Sequence, residues 1–276
     1  MNTDRIARPK VSVIIPAYNE EKCIGGCLKT LFEQTYPSYE VIVVDDGSTD
    51  KTASTASHYP VKLVPGDHRG PGVARNRGAE EASGDILVFL DADMEFHQEF
   101  IEKLVKPIEE GKTIGTFSKD EYVLNYDNHW SRYWNIICGN PGKRRVPEDY
   151  PDESTVFRAI SRENFDRAGG YDDMGVGEDQ TVSKKLGIHA TAAPGAICYH
   201  RNPETLIEVY REARWYARGG FFLHHERDSR IKKSFKVARQ AAKELGEKRY
   251  FLFMMVFFRG LSRGFKDYRS GKSHVK

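Results

Sequence analysis

A chain of 276 residues with 39% hydrophobic and 30% charged residues reads as an ordinary soluble globular protein, large enough to bury a core without covalent staples. Cys23, Cys27, Cys138 and Cys198 include no second pair at metal-ligand spacing, so reduced thiols in a cytoplasmic protein are expected. Residues 1–10 lack the apolar stretch of a secretory signal, and the longest apolar run, nine residues from Tyr250 to Phe258, falls short of the ~20 that span a bilayer.

The net charge of +2 conceals an asymmetry. Residues 201–276 hold 19 Lys and Arg against 8 Asp and Glu, whereas residues 1–200 hold 23 against 32. An acidic body can hold a metal; a basic tail suits an anionic partner.

Taken in chain order, Val11 to Ile15 is a β-branched run ending at Pro16, as a buried parallel strand requires. Glu21 to Gln34 predicts a helix with Ile24, Leu28, Leu31 and Phe32 on one face. Strands follow at Val41 to Val44, Val61 to Val64 and Ile86 to Leu90, alternating with helices over Thr49 to Ser57 and Gly72 to Ala82. That alternation predicts an α/β fold with a doubly wound, mostly parallel sheet flanked by helices. Ligands of such sheets bind beyond the carboxyl ends of the strands. Three polar loops fall there: Pro16-Ala17-Tyr18-Asn19-Glu20, Asp45-Asp46-Gly47-Ser48 and Asp91-Ala92-Asp93.

After Gly111 the pattern changes. Aromatic residues crowd Glu121 to Trp134, a Gly/Pro/Arg loop covers Gly139 to Pro147, Val156 to Ile160 reads as ordered, and Arg162 to Ala168 and Gln180 to Leu186 read as helices. Residues 1–200 are expected as one domain in two halves, 11–110 holding the polar loops at the strand ends and 111–200 the aromatic-rich portion. Residues 201–276 are expected as a basic helical extension.

Two carboxylates one residue apart at a strand end, Asp91 and Asp93, can approach one hard divalent cation, Mg²⁺ or Mn²⁺. A cation there would offset the charge of a departing diphosphate. An Asp-x-Asp triplet alone is weak evidence of this, since surface turns supply such pairs; the apolar run Ile86 to Leu90 before it places the pair at a buried strand's end.

The stretches Val-Ile-Ile-Pro-Ala-Tyr-Asn-Glu (13–20), Val-Val-Asp-Asp-Gly-Ser-Thr-Asp (43–50), Gly-Val-Ala-Arg-Asn-Arg-Gly (72–78), Phe-Leu-Asp-Ala-Asp (89–93), Gly-Gly-Tyr-Asp (169–172) and Gly-Glu-Asp (177–179) resemble the inverting family 2 glycosyltransferases of GT-A fold, in their order and spacing. The resemblance implies that Pro16, Ala17, Tyr18 and Glu20 line the nucleoside. Asp46 with Gly47 would read the base, uracil or guanine, with Asp45 held structurally beside it, and Arg75 would close on the nucleotide. Asp91, Ala92 and Asp93 would hold sugar-nucleotide and metal. Glu95 matches a position that touches metal in the polyprenyl-phosphate mannosyltransferase branch, and His200 one that some members use as a further ligand. Asp179 is the implied general base beside Glu178, which would contact substrate; without the resemblance, both acids could simply favour a helix N-terminus. For an ionised phosphate acceptor no base is needed, and Asp179 would position a substrate instead.

Trp130, Tyr133 and Trp134 could stack on sugars or an isoprenoid, with Arg132 for phosphate, or fill a core. Arg214 and Trp215 resemble the end of the Gln-x-x-Arg-Trp motif of processive members, with Arg211 in place of Gln; a basic helix contacting substrate is expected. The apolar and basic helix from Tyr250 onward suits an anionic membrane surface, so a peripheral place on the cytoplasmic face of a membrane is expected; a docked helix or a dimer contact is the alternative. No nucleic-acid motif accompanies the basic residues. The expected activity is therefore metal-dependent, inverting transfer from a UDP- or GDP-sugar to a glycan, lipid-linked glycan or polyprenyl-phosphate acceptor. The competing class is a non-catalytic sugar-nucleotide or glycan-binding module. A nucleotidyltransferase would need a Gly-rich triphosphate loop with a nearby Lys, which residues 11–30 lack.

Overall fold

The computed structural model describes residues 8–140, 142–218 and 247–269; the parts of the expected helical tail over 219–246 and 270–276 lie outside them. The chain divides into two compact units: Met1–Lys119, Pro151–Asp173 and Asp179–Ile197 form the first, and Asp120–Tyr150, Met174–Glu178 and Cys198–Lys276 the second.

The first unit opens with β1 (Val11–Ala17), whose first five residues are all buried. It continues through α1 (Ile24–Leu31), β2 (Tyr39–Asp45), α2 (Thr52–Ala56), β3 (Lys62–Pro65), α3 (Pro71–Glu80) and β4 (Ile86–Phe89). Next come β5 (Met94–Phe96), α4 (Phe100–Glu109) and β6 (Gly115–Phe117). After β7 (Glu121–Val123) and α5 (His129–Ile137), which belong to the second unit, the chain returns with β8 (Glu153–Ser154), β9 (Ala159–Ser161), α6 (Arg162–Ala168), α7 (Thr181–Leu186) and β10 (Ala190–Ala192).

Eight of these strands form one sheet in the order β3-β2-β1-β4-β9-β6-β10-β8. Pairing is parallel except around β9, which opposes β4 and β6, and at β8, which opposes β10. The expected mostly parallel sheet is present, and its order reverses between β1 and β4, where doubly wound sheets bind ligands.

Several element bounds shift by a few residues, α2 for example beginning at Thr52 rather than Thr49, and two departures have a local physical reason. The first helix spans only Ile24–Leu31: residues 21–23 form a turn whose Cys23 N donates three residues back to Glu20 O, and past Leu31 the chain closes with another three-residue bond, Gln34 N to Leu31 O. Strand β1 runs through Pro16 rather than ending there. Its register with β4 stops at Ile14↔Phe89, while that with β2 continues to Ala17↔Asp45. Ile14 O faces β4, accepting from Leu90 N at 3.1 Å; Pro16, two residues on, faces the same side past the end of β4, so its missing N–H costs no ladder bond.

Helix α3 starts with Pro at its first turn, where no N–H is needed. A Cβ on its Gly78 would lie 2.4 Å from Ile14 Cγ2. That glycine lets α3 approach the sheet closely, which sets Arg75 beside the strand ends.

In the second unit β7 pairs in parallel with β11 (Cys198–His200). Helices α5, α8 (Leu206–Arg218) and α9 (Glu247–Arg269) share a core of Tyr133, Trp134, Val209, Ala213, Phe253 and Phe257. Trp130 stacks near Phe253 at 6.4 Å and 10°. Burial in this core, and not an open sugar platform, is therefore the role of Tyr133 and Trp134. Helix α9 crosses α8 through small residues: a Cβ on Gly260 would meet Tyr210 O at 2.6 Å and Ala213 Cβ at 2.9 Å, and one on Gly264 would meet Arg214 O at 2.3 Å. Farther along this seam Asp267, 3% exposed, holds Arg214 Nη2 at 2.7 Å and Arg218 Nε at 3.3 Å.

Candidate active site

The loops after β1, β2 and β4 leave the first unit's sheet on one edge, because those strands run parallel. The first two are stitched together: Asn19, at φ +56°, donates its backbone N–H to Ser48 Oγ (2.9 Å), and its Oδ1 accepts from Thr49 N (2.8 Å). Glu20 N donates to Thr52 Oγ1 at 2.7 Å. Gly47 sits at φ +80°, a left-handed turn that a side chain would strain.

Asp46 is buried, and its carboxylate receives backbone N–H groups from the loop before α3: Arg69 N on Oδ1 at 3.0 Å and Gly70 N on Oδ2 at 2.8 Å. Its two oxygens thus shape this loop, whatever else they contact. The half-buried ring of Tyr18 stacks on His68, centroids 4.0 Å apart and planes at 30°.

The β4 loop carries the densest charge. Asp91 Oδ1 accepts from Arg75 Nη2 at 2.8 Å, and Oδ2 accepts from Arg158 Nη1 at 2.8 Å. The Arg75 guanidinium also lies 5.8 Å from the Tyr171 ring centroid. Asp179 shares this field: burial pushes its carboxyl up, Arg75 and Arg158 pull it down, and Asp91 pushes it up again. Two guanidiniums and two carboxylates are thereby grouped at one strand edge, where a diphosphate could be held and a proton accepted.

For a hard cation the donor chemistry fits: Asp91, Asp93 and Glu95 offer carboxylate oxygens at every second residue. Their negative charge is felt below, at Cys27, whose thiol is pushed well up by burial and then by Asp93, Asp91 and Glu95. Glu95 rests against α1, where a Cβ on Gly26 would lie 2.6 Å from its Oε1. Among the described residues, no three His, Cys, Asp or Glu side chains stand ready around one point.

The remaining expected site residues lie in the second unit. His200 Nδ1 is 2.9 Å from Glu121 Oε1, which Arg145 Nε also contacts at 3.1 Å. Glu178 is buried, Arg214 is engaged by Asp267, and Trp215 is half-buried on α8. Sequence reasoning missed Arg158 and His68. Each left a faint signal: Arg158 is a lone charge inside an apolar strand pattern, and His68 lies between Gly66 and Gly70 at the end of β3.

Over 236 residues, the chain is 30% identical to "Probable glycosyltransferase YdaM" of Bacillus subtilis (strain 168), covering 78% of this chain and 56% of that protein. It is 41% identical over 165 residues to the dolichol-phosphate mannosyltransferase of Pyrococcus furiosus, covering 56% of this chain and 47% of that one. The chain spans about half the length of these relatives. Among solved structures, the mannosyltransferase PcManGT from Pyrobaculum calidifontis, in complex with GDP-Man and Mn2+, aligns with 97% of this chain and 89% of its own, with TM-score 0.61 and 21% identity. S. aureus TarS 1-349 in complex with UDP-GlcNAc aligns with 95% and 92%, with TM-score 0.55 and 17% identity. At such identities the likeness shows the fold, and it matches the GT-A expectation. Residues 12–169, more than half of the chain, match Glycosyl transferase family 2, and the protein belongs to that glycosyltransferase family.

Proposed function

We propose that the chain transfers a sugar, with inversion, from a UDP- or GDP-sugar to a glycan, lipid-linked glycan or polyprenyl-phosphate acceptor. The grouping of Arg75, Asp91, Arg158 and Asp179 at the strand ends carries this reading. In it, the nucleoside lies along Pro16, Ala17 and Tyr18 with its base near Asp46 and Gly47, and His68 extends the stacking surface of Tyr18. Arg75 and Arg158 face the diphosphate. Asp91 and Asp93, with Glu95 as a further candidate ligand, would hold a divalent cation, which would supply Lewis-acid stabilisation of the leaving group.

Asp179 provides the base. An acceptor hydroxyl oxygen forms the new bond to the anomeric carbon as the sugar–diphosphate bond breaks; the nucleoside diphosphate leaves with the bonding electrons and the hydroxyl proton passes to the Asp179 carboxylate. Attack opposite the leaving group inverts the anomeric centre. The neighbours that carry GDP-Man and UDP-GlcNAc make both nucleotides the first to test. With a panel of UDP-, GDP- and dTDP-sugars in Mn²⁺, one donor is expected to raise Tm by mass action and to release its nucleoside diphosphate, with an inverted anomer visible by NMR. No stabilisation and no turnover with any donor would sink the reading.

We also propose that α9 rests on an anionic lipid surface, which would keep the protein peripheral on the cytoplasmic face. No helix among the described residues is long and apolar enough to cross a membrane. Support comes from the face of α9 turned away from the core: Leu252, Met255 and Phe258 are 40%, 53% and 46% exposed, flanked by exposed Arg249, Arg259, Arg263 and Lys266. Apolar side chains with basic neighbours suit the headgroup region. Because α9 also supplies Phe253 and Phe257 to the core, deleting the helix is a poor test. Serine at Leu252, Met255 and Phe258 together is expected to leave Tm nearly unchanged and to abolish co-sedimentation with phosphatidylglycerol vesicles; equal sedimentation of both proteins refutes the idea.

A further inference from the structure

We propose that Arg158 is a positioning residue: it neutralises Asp91 until a divalent cation arrives, and then turns to the diphosphate of the donor. The idea rests on the glycosyl-transfer reading of this site and deepens it.

Asp91 is gripped from both sides, one guanidinium on each oxygen at 2.8 Å. The three side chains are only 9% (Arg75), 16% (Arg158) and 27% (Asp91) exposed. Like charges repel strongly in such a poorly hydrated place. A divalent cation needs an oxygen of Asp91, and each already accepts from a guanidinium, so one guanidinium gives way; the carboxyl of Asp179, which feels both arginines, does not free an Asp91 oxygen.

The fold points to Arg158 as the one that moves. Arg75 belongs to α3, which Gly78 seats closely against Ile14, and its guanidinium is also set over the Tyr171 ring. Arg158 projects from just before β9, and its side chain is the more exposed of the two. Its backbone is fixed, with N–H donating to Thr116 O and C=O accepting from Phe89 N, both at 2.8 Å. A rigid anchor under a long side chain lets the guanidinium swing without the sheet moving. A released guanidinium is a planar, permanently charged fork that matches phosphate oxygens. Cation binding and diphosphate binding are then coupled through one residue.

The test is Mn²⁺ binding, followed by electron paramagnetic resonance of the free ion, without donor or acceptor, for the wild type, Arg158→Ala and Arg158→Lys. Removing the competing charge is expected to tighten Mn²⁺ binding to Arg158→Ala by about tenfold or more. In saturating Mn²⁺ the same variant is expected to bind UDP or GDP about tenfold more weakly. Arg158→Lys keeps the charge and loses the fork, so its Mn²⁺ affinity stays near the wild type while nucleoside diphosphate binding weakens. A purely structural role would loosen both ligands together. Mn²⁺ affinity equal to or below the wild type in a folded Arg158→Ala, or no Mn²⁺ binding by either protein, overturns the proposal. If Arg158→Ala fails to fold, an Arg158→Lys that binds nucleoside diphosphate as the wild type does overturns it. The titration needs no turnover, so a failure of glycosyl transfer with every donor is a separate result.

Discussion

Replacing Asp179 with Asn is expected to lower kcat/KM for a hydroxyl acceptor by about 10²–10⁴, the usual worth of a positioned general base, with donor affinity nearly unchanged. The substitution keeps the shape of the side chain and removes its capacity to take a proton. The pH profile provides a second readout. Burial raises the Asp179 carboxyl above its ordinary value, with Asp91 adding to the shift and Arg75 and Arg158 opposing it. The proton-accepting form is the ionised one, so the rate falls as pH drops through this raised pKa. The acid limb of kcat/KM should therefore lie above the usual aspartate region near ~3.9, and should vanish in Asp179→Asn. An ionised phosphate acceptor needs no base, so a small loss with a polyprenyl phosphate beside a large loss with an alcohol would identify which proton is being moved. Wild-type rates in Asp179→Asn with a hydroxyl acceptor would remove Asp179 from the mechanism.

Replacing Asp93 with Ala is expected to reduce turnover by roughly 10³ and to abolish its stimulation by Mn²⁺, because a leaving-group cation supplies several kcal/mol in the transition state. The fold should tolerate the change. Asp93 is half-buried in the loop after β4, while the two guanidiniums of the site contact Asp91. Asp91→Ala is a poorer probe, since it removes the carboxylate between two partly buried arginines and so costs stability as well as catalysis. Full, Mn²⁺-stimulated activity in Asp93→Ala would sink the metal role; loss of activity together with a large fall in Tm would point to misfolding, which circular dichroism would reveal.

The amino-acid sequence by itself determined the parallel strands β1 to β4 of the first unit and the place of the polar loops that follow them; β6, β8 and β10 and the antiparallel pairing of β9 came from the tertiary structure. The largely apolar runs at Val11 to Ile15 and Ile86 to Leu90 are best satisfied where both faces are covered, and the loops that end them follow from chain direction. Helix α6 fell on the expected Arg162–Ala168, because its signals are local: Ser161 before it and a left-handed Gly169 after it. Membership of the family was legible for the same reason, since each motif is a short contiguous stretch.

Only the tertiary structure decided what depends on residues far apart in the chain. Pro16 could stay within a strand because β4 ends early beside it, a matter of register that no local pattern encodes. Arg158 reaches Asp91 across 67 positions of sequence, so its strand-like surroundings gave no hint of a partner. The same limit applied to Tyr133 and Trp134, equally suited by composition to sugar faces or to a core; α9, more than a hundred residues later, brings Phe253 and Phe257 to cover them. That helix shows the division most plainly. Its apolar and basic residues were readable as an interfacial surface, but which side faces the protein was settled by packing: Phe253 and Phe257 enter the core, and Gly260 and Gly264 let Ala213 and the Arg214 carbonyl come close. Local propensity acts between neighbours in sequence, whereas close packing and charge pairing act between neighbours in space.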